Sequence, residues 1–381
     1  MAPRSVDLVA RGPPPLDPYA PAAGTWALAR AYADQGATVH VLYPEGPKEA
    51  EPPEGIRATA VPLPLRRPGA ASEEAEFASR AGHRLRPESE LVLRDPVGIG
   101  PLGVRARAPR ARLVGLVRAV ELTAFDREQG GRSQTGFVDR LDGWRDRRSL
   151  RRLERAALEE PDALFCDDPA LASALEQEYH VGPPRLRAGR PPVPHLPGPP
   201  RREAARGALG IPTDVPVVVV PAASPSAEES GIDHAREAFR RVRPFFPGAR
   251  LVVVGTEVPS DPGVVSVPGR DAVAFAGALT AGDVALIVST RPGFDPGIVF
   301  AARAGCATIA YRSTVGAAPP ANAVRTVGAE DPGDLASALA ELVADLGAAR
   351  ELAQRGKEFA EAFDPERVIA EIDRALAVER P

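Results

Sequence analysis

Short apolar runs alternate with amphipathic segments along the chain, and this alternation predicts strands followed by helices. Near the N-terminus, Ser5–Ala10 is an apolar β-type run, Thr25–Gln35 has apolar residues at helical spacing, and Val39–Tyr43 is a second strand. A strand, a helix and a strand in this order form a βαβ unit, in which the two strands lie parallel. The pattern therefore predicts an α/β fold built on parallel sheets.

The same alternation continues to the C-terminus and is more regular there. Further strands are predicted near Arg57–Leu63, Leu91–Leu93, Leu113–Val117, Ala163–Cys166, Val215–Val220, Ala249–Gly255, Val284–Ser289 and Thr308–Tyr311. Further helices are predicted at Arg147–Glu159, Ala170–Tyr179, Asp233–Val242, Ala272–Ala278, Ile298–Ala304, 331–346 and 366–378. Asp331-Pro332 and Asp364-Pro365 are typical helix starts, with aspartate as the N-cap and proline in the first turn.

A proline-rich segment at 189–200 separates the two halves, because proline is excluded from helix interiors and central strands. We predict an N-terminal domain at 1–188, this segment as the linker, a C-terminal domain at 201–362 and a terminal helical segment at 363–381. The segments 44–110 and 123–145 are interpreted as excursions from the first domain. Two parallel-sheet domains joined in this way predict a ligand cleft between them, at the carboxyl ends of the strands.

The amino-acid composition and the net charge exclude several classes of protein. The 381 residues include 43 prolines and 35 glycines, but 44% are apolar, so a packed core is expected rather than disorder. The net charge of −4 predicts no nucleic-acid partner. Two well-separated cysteines and five histidines without metal spacing predict no metal site and a reducing, cytoplasmic location. No apolar run is long enough for a membrane span or a signal peptide.

Several segments of the second half match a family pattern: Gly231–Phe239 (GIDHAREAF), Phe246–Gly255 (FPGARLVVVG), Ala281–Ser289 (AGDVALIVS) and Ala329–Leu335 (AEDPGDL). In these segments the chain resembles the retaining nucleotide-sugar glycosyltransferases of the GT-B fold, family 4, and Pro18–Gly24 and Gly36–Leu42 extend the resemblance weakly into the first half. The resemblance implies two Rossmann-like domains in the GT-B arrangement, with the last helix packing back on the N-domain. It also implies transfer of a hexose from a nucleotide sugar to a glycan acceptor, with retention and without a metal or other cofactor, in polysaccharide or glycoconjugate assembly.

The positions that hold the donor diphosphate in this family are replaced in this chain. In the loop Pro221–Gly231, the family's arginine falls on Ala222 or Ala223 and its lysine falls on Ser230, beside two glutamates. Carboxylates in this loop would repel a diphosphate. The chain has only two lysines, Lys48 and Lys357, so arginine is its usual cation and no lysine lies nearby in the sequence.

The family's catalytic positions are replaced as well. Its two glutamates fall on Pro292 and Phe300, which leaves Asp295 as the carboxylate of that loop. The N-domain histidine of the family falls on Arg118, and Glu121 is retained nearby. The resemblance therefore makes Asp295, Arg118 and Glu121 the candidate catalytic residues. It places these residues at the donor site: Gly24, Thr25, Ser230, Gly231, Gly255, Gly293 and Phe294.

Each candidate also has a structural interpretation. Asp295 belongs to an Asp-Pro-Gly sequence that is typical of a turn opening a helix. Arg118 is either a residue that faces the cleft or a surface residue at a strand end. Gly24 and Thr25 either approach a ligand at a helix start or form a turn.

The helix at 147–159 carries arginines at 148, 151, 152 and 155 on one face. A solvated face paired with Asp146 and Glu154 is one interpretation. The other is a surface that docks a partner transferase or the anionic inner face of a membrane, which would make the protein peripheral there. Two hypotheses of function stay open: a glycosyltransferase, or a non-catalytic homologue that binds a sugar or a partner protein.

Overall fold

The computed structural model describes residues 4–47, 50–63, 70–118, 137–166, 168–198, 201–222, 231–290, 294–315, 322–328 and 331–377, without the side chains of 70–72 and 137–146. The chain forms two compact units. Unit 1 comprises Met1–Pro15, Pro21–Pro192 and Pro365–Pro381, and unit 2 comprises Leu16–Ala20 and Val193–Asp364. The short segment Leu16–Ala20, which we had assigned to the first domain, thus belongs to unit 2.

Unit 1 contains seven parallel strands and the helices that connect them. The strands are β1 (Ser5–Ala10), β2 (Thr38–Pro44), β3 (Ile56–Val61), β4 (Leu91–Asp95), β5 (Arg112–Val117), β6 (Ala163–Cys166) and β7 (Leu186–Ala188). The helices are α1 (Ala23–Asp34), α2 (Ala70–Gly82), α3 (Val104–Arg107), α4 (Phe137–Glu159) and α5 (Pro169–Tyr179). Their order in the sheet is β3-β2-β1-β4-β5-β6-β7.

Unit 2 repeats this topology with six parallel strands. The elements in chain order are α6 (Arg202–Ala208), β8 (Val217–Pro221), α7 (Ile232–Val242), β9 (Arg250–Val254), β10 (Val264–Val267), α8 (Ala272–Ala281), β11 (Val284–Ile287), α9 (Gly297–Ala304), β12 (Ala307–Tyr311), β13 (Arg325–Val327), α10 (Pro332–Ala344) and α11 (Leu346–Ala360). Their order in the sheet is β10-β9-β8-β11-β12-β13.

In both sheets the strand order reverses next to the first strand, between β1 and β4 in unit 1 and between β8 and β11 in unit 2. This is the doubly wound Rossmann order, in which ligands bind at the carboxyl ends of the strands beside the reversal. The predicted α/β fold with two Rossmann-like domains is confirmed.

The last helix, α12 (Pro365–Ala377), belongs to unit 1 and packs against α1. Its apolar face contributes Val368, Ile369 and Ile372 to the same core as Trp26 and Leu28 of α1. Arg4 at the start of β1 forms an ion pair with Asp373 of this helix. The amphipathic spacing of the last helix thus corresponds to a buried face.

Several elements differ from the sequence prediction. The segment 44–110 contains β3 and β4, near the two strands predicted there, and also the helices α2 and α3, which were not predicted. The single helix predicted at 331–346 ends at Ala344, and Asp345 caps a second helix, α11. Short strands at the sheet edges, β7, β10 and β13, were missed because they have only three or four residues and little periodicity.

Candidate functional site

A buried polar cluster lies at the strand-order reversal of unit 1. Asp95 ends β4 and is 3% exposed, and Arg118 directly follows β5. The Arg118 Nε donates to Asp95 Oδ1 at 3.0 Å, and the buried Thr25 hydroxyl of α1 donates to Asp95 Oδ2 at 3.1 Å. Asp95 therefore fixes a guanidinium and a hydroxyl at the carboxyl edge of the sheet.

Gly24 is adjacent to this cluster, in the first turn of α1. A Cβ built on Gly24 would lie 2.7 Å from the Pro192 carbonyl oxygen. Glycine is therefore required here by the close approach of the chain at Pro192. This packing role is neither of the two interpretations that the sequence leaves open for Gly24.

A pocket of about 240 Å³ opens at the same edge of unit 1, beside the ends of β1, β2 and β4. Its lining includes Glu73, Glu74 and Phe77 of α2 and Arg94 of β4. The buried Arg94 guanidinium donates to the Ile99 and Gly100 carbonyl oxygens. The pocket thus combines apolar residues with carboxylates, a suitable lining for a ligand with hydroxyl groups.

In unit 2, two glycines at positive φ shape the carboxyl edge of the sheet. Gly231 has φ +63° at the start of α7, and a Cβ there would lie 1.8 Å from the Val288 carbonyl oxygen. Gly255 has φ +99° after β9, where a Cβ would meet Phe275 at 3.0 Å. Both positions admit only glycine without movement of the neighbouring chain.

Asp295 lies at the same edge, just before α9, and is 7% exposed. Its Oδ1 accepts a hydrogen bond from the Gly297 backbone N–H at 2.7 Å. Burial raises the pKa of Asp295 to about 6, and the Gly297 hydrogen bond partly opposes this rise. Asp295 therefore forms the turn before α9 that its Asp-Pro-Gly sequence predicts. Its raised pKa is also a property that catalytic carboxyl groups share.

Tyr19 packs against the helices that flank Asp295. Its ring centroid lies 5.1 Å from that of Phe275 and 5.4 Å from that of Phe300. The Tyr19 hydroxyl is buried, and no described residue forms a hydrogen bond with it. Burial raises the pKa of Tyr19 well above its usual value, and the carboxylates of Asp295 and Asp17 raise it further.

An ion pair holds the Tyr19 segment in unit 2. Arg270 donates to Asp17 Oδ2 from Nη2 at 2.7 Å and from Nε at 3.0 Å. The Arg270 Nη1 donates to the carbonyl oxygens of Ala222 and Gly255, at 3.0 and 3.3 Å. Arg270 thus ties Leu16–Ala20 to the carboxyl ends of β8 and β9.

The other predicted site residues divide between described and undescribed parts of the chain. Phe294 stacks face to face on Phe363, with ring centroids 4.8 Å apart. Glu121, Ser230 and Gly293 lie outside the described residues, as does the loop at 223–230 with its two glutamates.

The arginine face of α4 is described from residue 147. Arg148 and Arg152 are exposed, whereas Arg151 donates to the Glu178 carbonyl oxygen of α5 at 3.1 Å. Glu154, which we expected to pair with arginines at the surface, is 2% exposed and accepts a hydrogen bond from the Tyr179 hydroxyl. Glu154 is therefore buried, and the interpretation that it lies on a solvated face is wrong.

Sequence reasoning missed Asp17, Tyr19, Asp95 and Arg270. A signal existed for Asp95, since a charged residue directly after an apolar strand lies at the carboxyl edge of the sheet. In the described part of the chain, no group of three or more His, Cys, Asp or Glu side chains is arranged to hold a metal ion. None of the described helices is long and apolar enough to cross a membrane.

The structure is similar to solved glycosyltransferase structures over nearly its whole length. Sucrose-phosphate synthase from Thermosynechococcus elongatus matches with a TM-score of 0.69 and 18% identity, over 99% of this chain and 100% of that chain. WaaG, a glycosyltransferase involved in lipopolysaccharide biosynthesis, matches with a TM-score of 0.72 and 17% identity, over 99% of this chain and 100% of that chain. Anabaena HepE in complex with UDP and glucose matches with a TM-score of 0.67 and 15% identity, over 98% of this chain and 99% of that chain.

No protein-family model matches the sequence, and no curated protein matches it. The likeness to the solved structures at 15–18% identity shows the fold, which is that of GT-B nucleotide-sugar glycosyltransferases.

Proposed function

We propose that the protein is a glycosyltransferase-like protein that binds a nucleotide sugar and acts on a glycan acceptor in polysaccharide or glycoconjugate assembly. The observation that supports the proposal is the fold likeness over 98–99% of the chain to glycosyltransferases, one of them in complex with UDP and glucose. If the protein transfers the sugar, the sequence resemblance favours a hexose, retention of configuration and no metal or other cofactor.

Within this proposal, each unit has a distinct task. The nucleotide sugar binds at the carboxyl edge of unit 2, where Gly231 and Gly255 let neighbouring chain segments pack closely. The acceptor binds at the carboxyl edge of unit 1, in the pocket lined by Glu73, Glu74 and Arg94. Arg118, oriented by Asp95, supplies positive charge at this edge.

A specific observation favours a second candidate, a non-catalytic homologue that binds a sugar or a partner protein. Phe300 occupies a glutamate position of the family and is 1% exposed, against the ring of Tyr19. Asp295, the remaining carboxylate of that segment, already accepts a hydrogen bond from its own turn. Neither side chain reproduces the pair of exposed carboxylates that the family's chemistry uses.

Calorimetric titration with UDP-glucose and GDP-mannose distinguishes the two candidates. We expect the glycosyltransferase to bind one of them with micromolar affinity, and Asp295→Asn, at the carboxyl edge of unit 2, to weaken that binding. Arg118→Lys, at the edge of unit 1, should instead lower the rate of sugar transfer in a separate turnover assay. Arg148→Gln, on the exposed face of α4, serves as the matched control and leaves binding unchanged. Absence of binding by a chain with an unaltered melting curve would reject the glycosyltransferase and leave the non-catalytic homologue.

The localisation follows from the same proposal. We place the protein in the cytoplasm, at the inner face of a membrane, with Arg148, Arg152 and Arg155 of α4 as the surface that meets anionic lipid. Sedimentation with vesicles tests this placement. The protein should sediment with vesicles that contain anionic phosphatidylglycerol and not with neutral phosphatidylcholine vesicles. The variant in which Arg148, Arg152 and Arg155 are all replaced by glutamine should lose this binding. If the wild-type protein binds neither kind of vesicle, a partner transferase is the favoured ligand of this surface.

A further inference from the structure

A second pocket lies in unit 2, away from the carboxyl edge of its sheet. It has a volume of about 340 Å³ and is formed by His195, Leu196 and Pro197 of the linker together with α8, α9 and the end of α11. We call it the linker pocket. Its volume falls in the lower part of the range of about 300–1,000 Å³ that small-molecule sites occupy.

The position of the linker pocket separates it from the proposed donor site. Thr280 of α8 and Ala304 of α9 belong to the last turns of their helices, which lead into the amino ends of β11 and β12. The donor site of a doubly wound sheet lies at the opposite, carboxyl edge. The linker pocket is therefore a separate site, and the inference below does not rest on the proposed function.

Most of the lining is apolar and well ordered by its own contacts. Ala276, Phe300 and Leu196 form the apolar walls, and the Thr280 hydroxyl is already used by the Ala276 carbonyl oxygen at 2.7 Å. Arg303 is also engaged, because it donates to the Val193 and Pro194 carbonyl oxygens and to Asp364 Oδ1. Such a lining binds apolar groups and offers them few competing polar partners.

One cation of the pocket is left for a ligand. The Arg303–Asp364 pair, 2.6 Å apart, balances its own charges, and His195 lies 3.8 Å from the same carboxylate. Lys357 is exposed at the pocket, and no described residue forms a hydrogen bond or an ion pair with its ammonium group. Glu361 is the remaining carboxylate of the lining and opposes an anion on its side.

From this lining we infer that the linker pocket binds a small apolar anion, such as an aromatic carboxylate. The ring lies on the wall formed by Ala276, Phe300 and Leu196, and the carboxylate pairs with the Lys357 ammonium group. Apolar burial supplies most of the affinity, and Lys357 supplies the preference for negative charge.

The lysine content of the chain gives the inference a matched control. Only Lys48 and Lys357 are present, and only Lys357 lines the pocket. Binding of 2-naphthoate and of the neutral 2-naphthamide is measured on the full chain by equilibrium dialysis. We expect the wild-type protein to bind naphthoate about threefold to fivefold more tightly than the amide, the upper part of the range for an exposed ion pair.

Four variants separate the contribution of the Lys357 charge from that of apolar burial. Lys357→Gln should remove the preference for naphthoate and leave amide binding unchanged, Lys48→Gln should change neither, and Glu361→Gln should strengthen naphthoate binding. Ala304→Phe should fill the pocket and abolish binding of both probes. No saturable binding by the wild-type protein, or an equal preference after Lys357→Gln, would overturn the inference.

A second measurement needs no pocket-filling variant and therefore does not depend on how Ala304→Phe folds. The wild-type protein is acetylated with a limiting amount of an N-hydroxysuccinimide ester, and the two lysines are quantified by mass spectrometry. Naphthoate should slow acetylation of Lys357 and not of Lys48. Equal effects on both lysines, or none, would contradict the placement of the ligand.

Discussion

Tyr19 lies edge-on to Phe300, with ring centroids 5.4 Å apart and planes inclined at 71°. Tyr19 comes from Leu16–Ala20, the one N-terminal segment that belongs to unit 2. Phe300 is in turn a position at which the family resemblance implies a glutamate. A phenyl side chain accepts no hydrogen bond from a sugar hydroxyl, so the replacement changes a binding position into a packing position.

The role of Tyr19 can be tested by removing its parts separately. Tyr19→Ala should lower the free energy of unfolding by about 2–4 kcal/mol, because contacts with Phe275 and Phe300 are lost. Tyr19→Phe should leave it unchanged or raise it by about 1 kcal/mol, because the buried hydroxyl has no described partner. Urea unfolding measures both. If the two variants are equally destabilised, the hydroxyl is bonded and not merely buried.

Gly231 should tolerate no side chain. Gly231→Ala adds a Cβ 1.8 Å from the Val288 carbonyl oxygen at φ +63°, so we expect a loss of at least about 3 kcal/mol in the free energy of unfolding. Gly36→Ala is the matched control, because Gly36 has φ +84° with nothing within 4 Å and should cost only about 1 kcal/mol. Equal losses in thermal or urea unfolding would show that the chain at Val288 moves aside easily.

The sequence could predict the fold because buried parallel strands leave a continuous apolar signal. Val217–Pro221 and Val284–Ile287 are wholly buried, and both were found within a few residues. The charged helix α2 was missed, because the preceding prolines and a glutamate-rich start resemble a loop. Local pattern therefore located the strands of the core better than the helices around it.

The candidate site was less predictable, because its main contacts join residues far apart in sequence. Arg270 and Asp17 are separated by 253 positions, and Thr25 and Asp95 by 70. A sequence motif identifies Asp295 and Arg118, but it does not identify the residues that form hydrogen bonds with them, such as Asp95 with Arg118. Such partners depend on strand order, which places Asp95 and Arg118 at one sheet edge.

The Arg270–Asp17 pair should contribute measurably to the stability of unit 2. A double-mutant cycle with Arg270→Gln and Asp17→Asn is expected to give a coupling energy of about 1 kcal/mol, since both side chains are mostly buried and joined by two hydrogen bonds. The exposed pair Arg325–Glu341, at 3.0 Å, is the control and should couple by less than about 0.5 kcal/mol. Equal coupling energies would mean that Arg270 acts mainly through the Ala222 and Gly255 carbonyl oxygens.

Asp295 should make stability depend on pH. Its folded-state pKa is raised to about 6 from an ordinary value of 3.8, chiefly by burial. Below about pH 3 the carboxyl group is protonated in both states, so it has no effect on the free energy of unfolding. Between pH 3.8 and pH 6 the carboxyl group ionises in the unfolded chain but stays protonated in the folded protein, so stability falls with rising pH. Above about pH 6 the loss is complete and amounts to about 3 kcal/mol relative to acid conditions.

Asp295→Asn should remove this dependence while preserving the turn, because the asparagine side-chain oxygen can still accept from the Gly297 N–H. Relative to the wild-type protein, the variant should gain about 3 kcal/mol in unfolding free energy between pH 3 and pH 7, measured by urea unfolding at intermediate steps. Asp34→Asn, at an exposed position paired with Arg30, controls for the loss of a carboxylate and should show little change between pH 5 and pH 7. A difference that stays constant from pH 4 to pH 7 would mean that Asp295 titrates normally, and its candidacy as a proton-transferring group would then lose its physical basis.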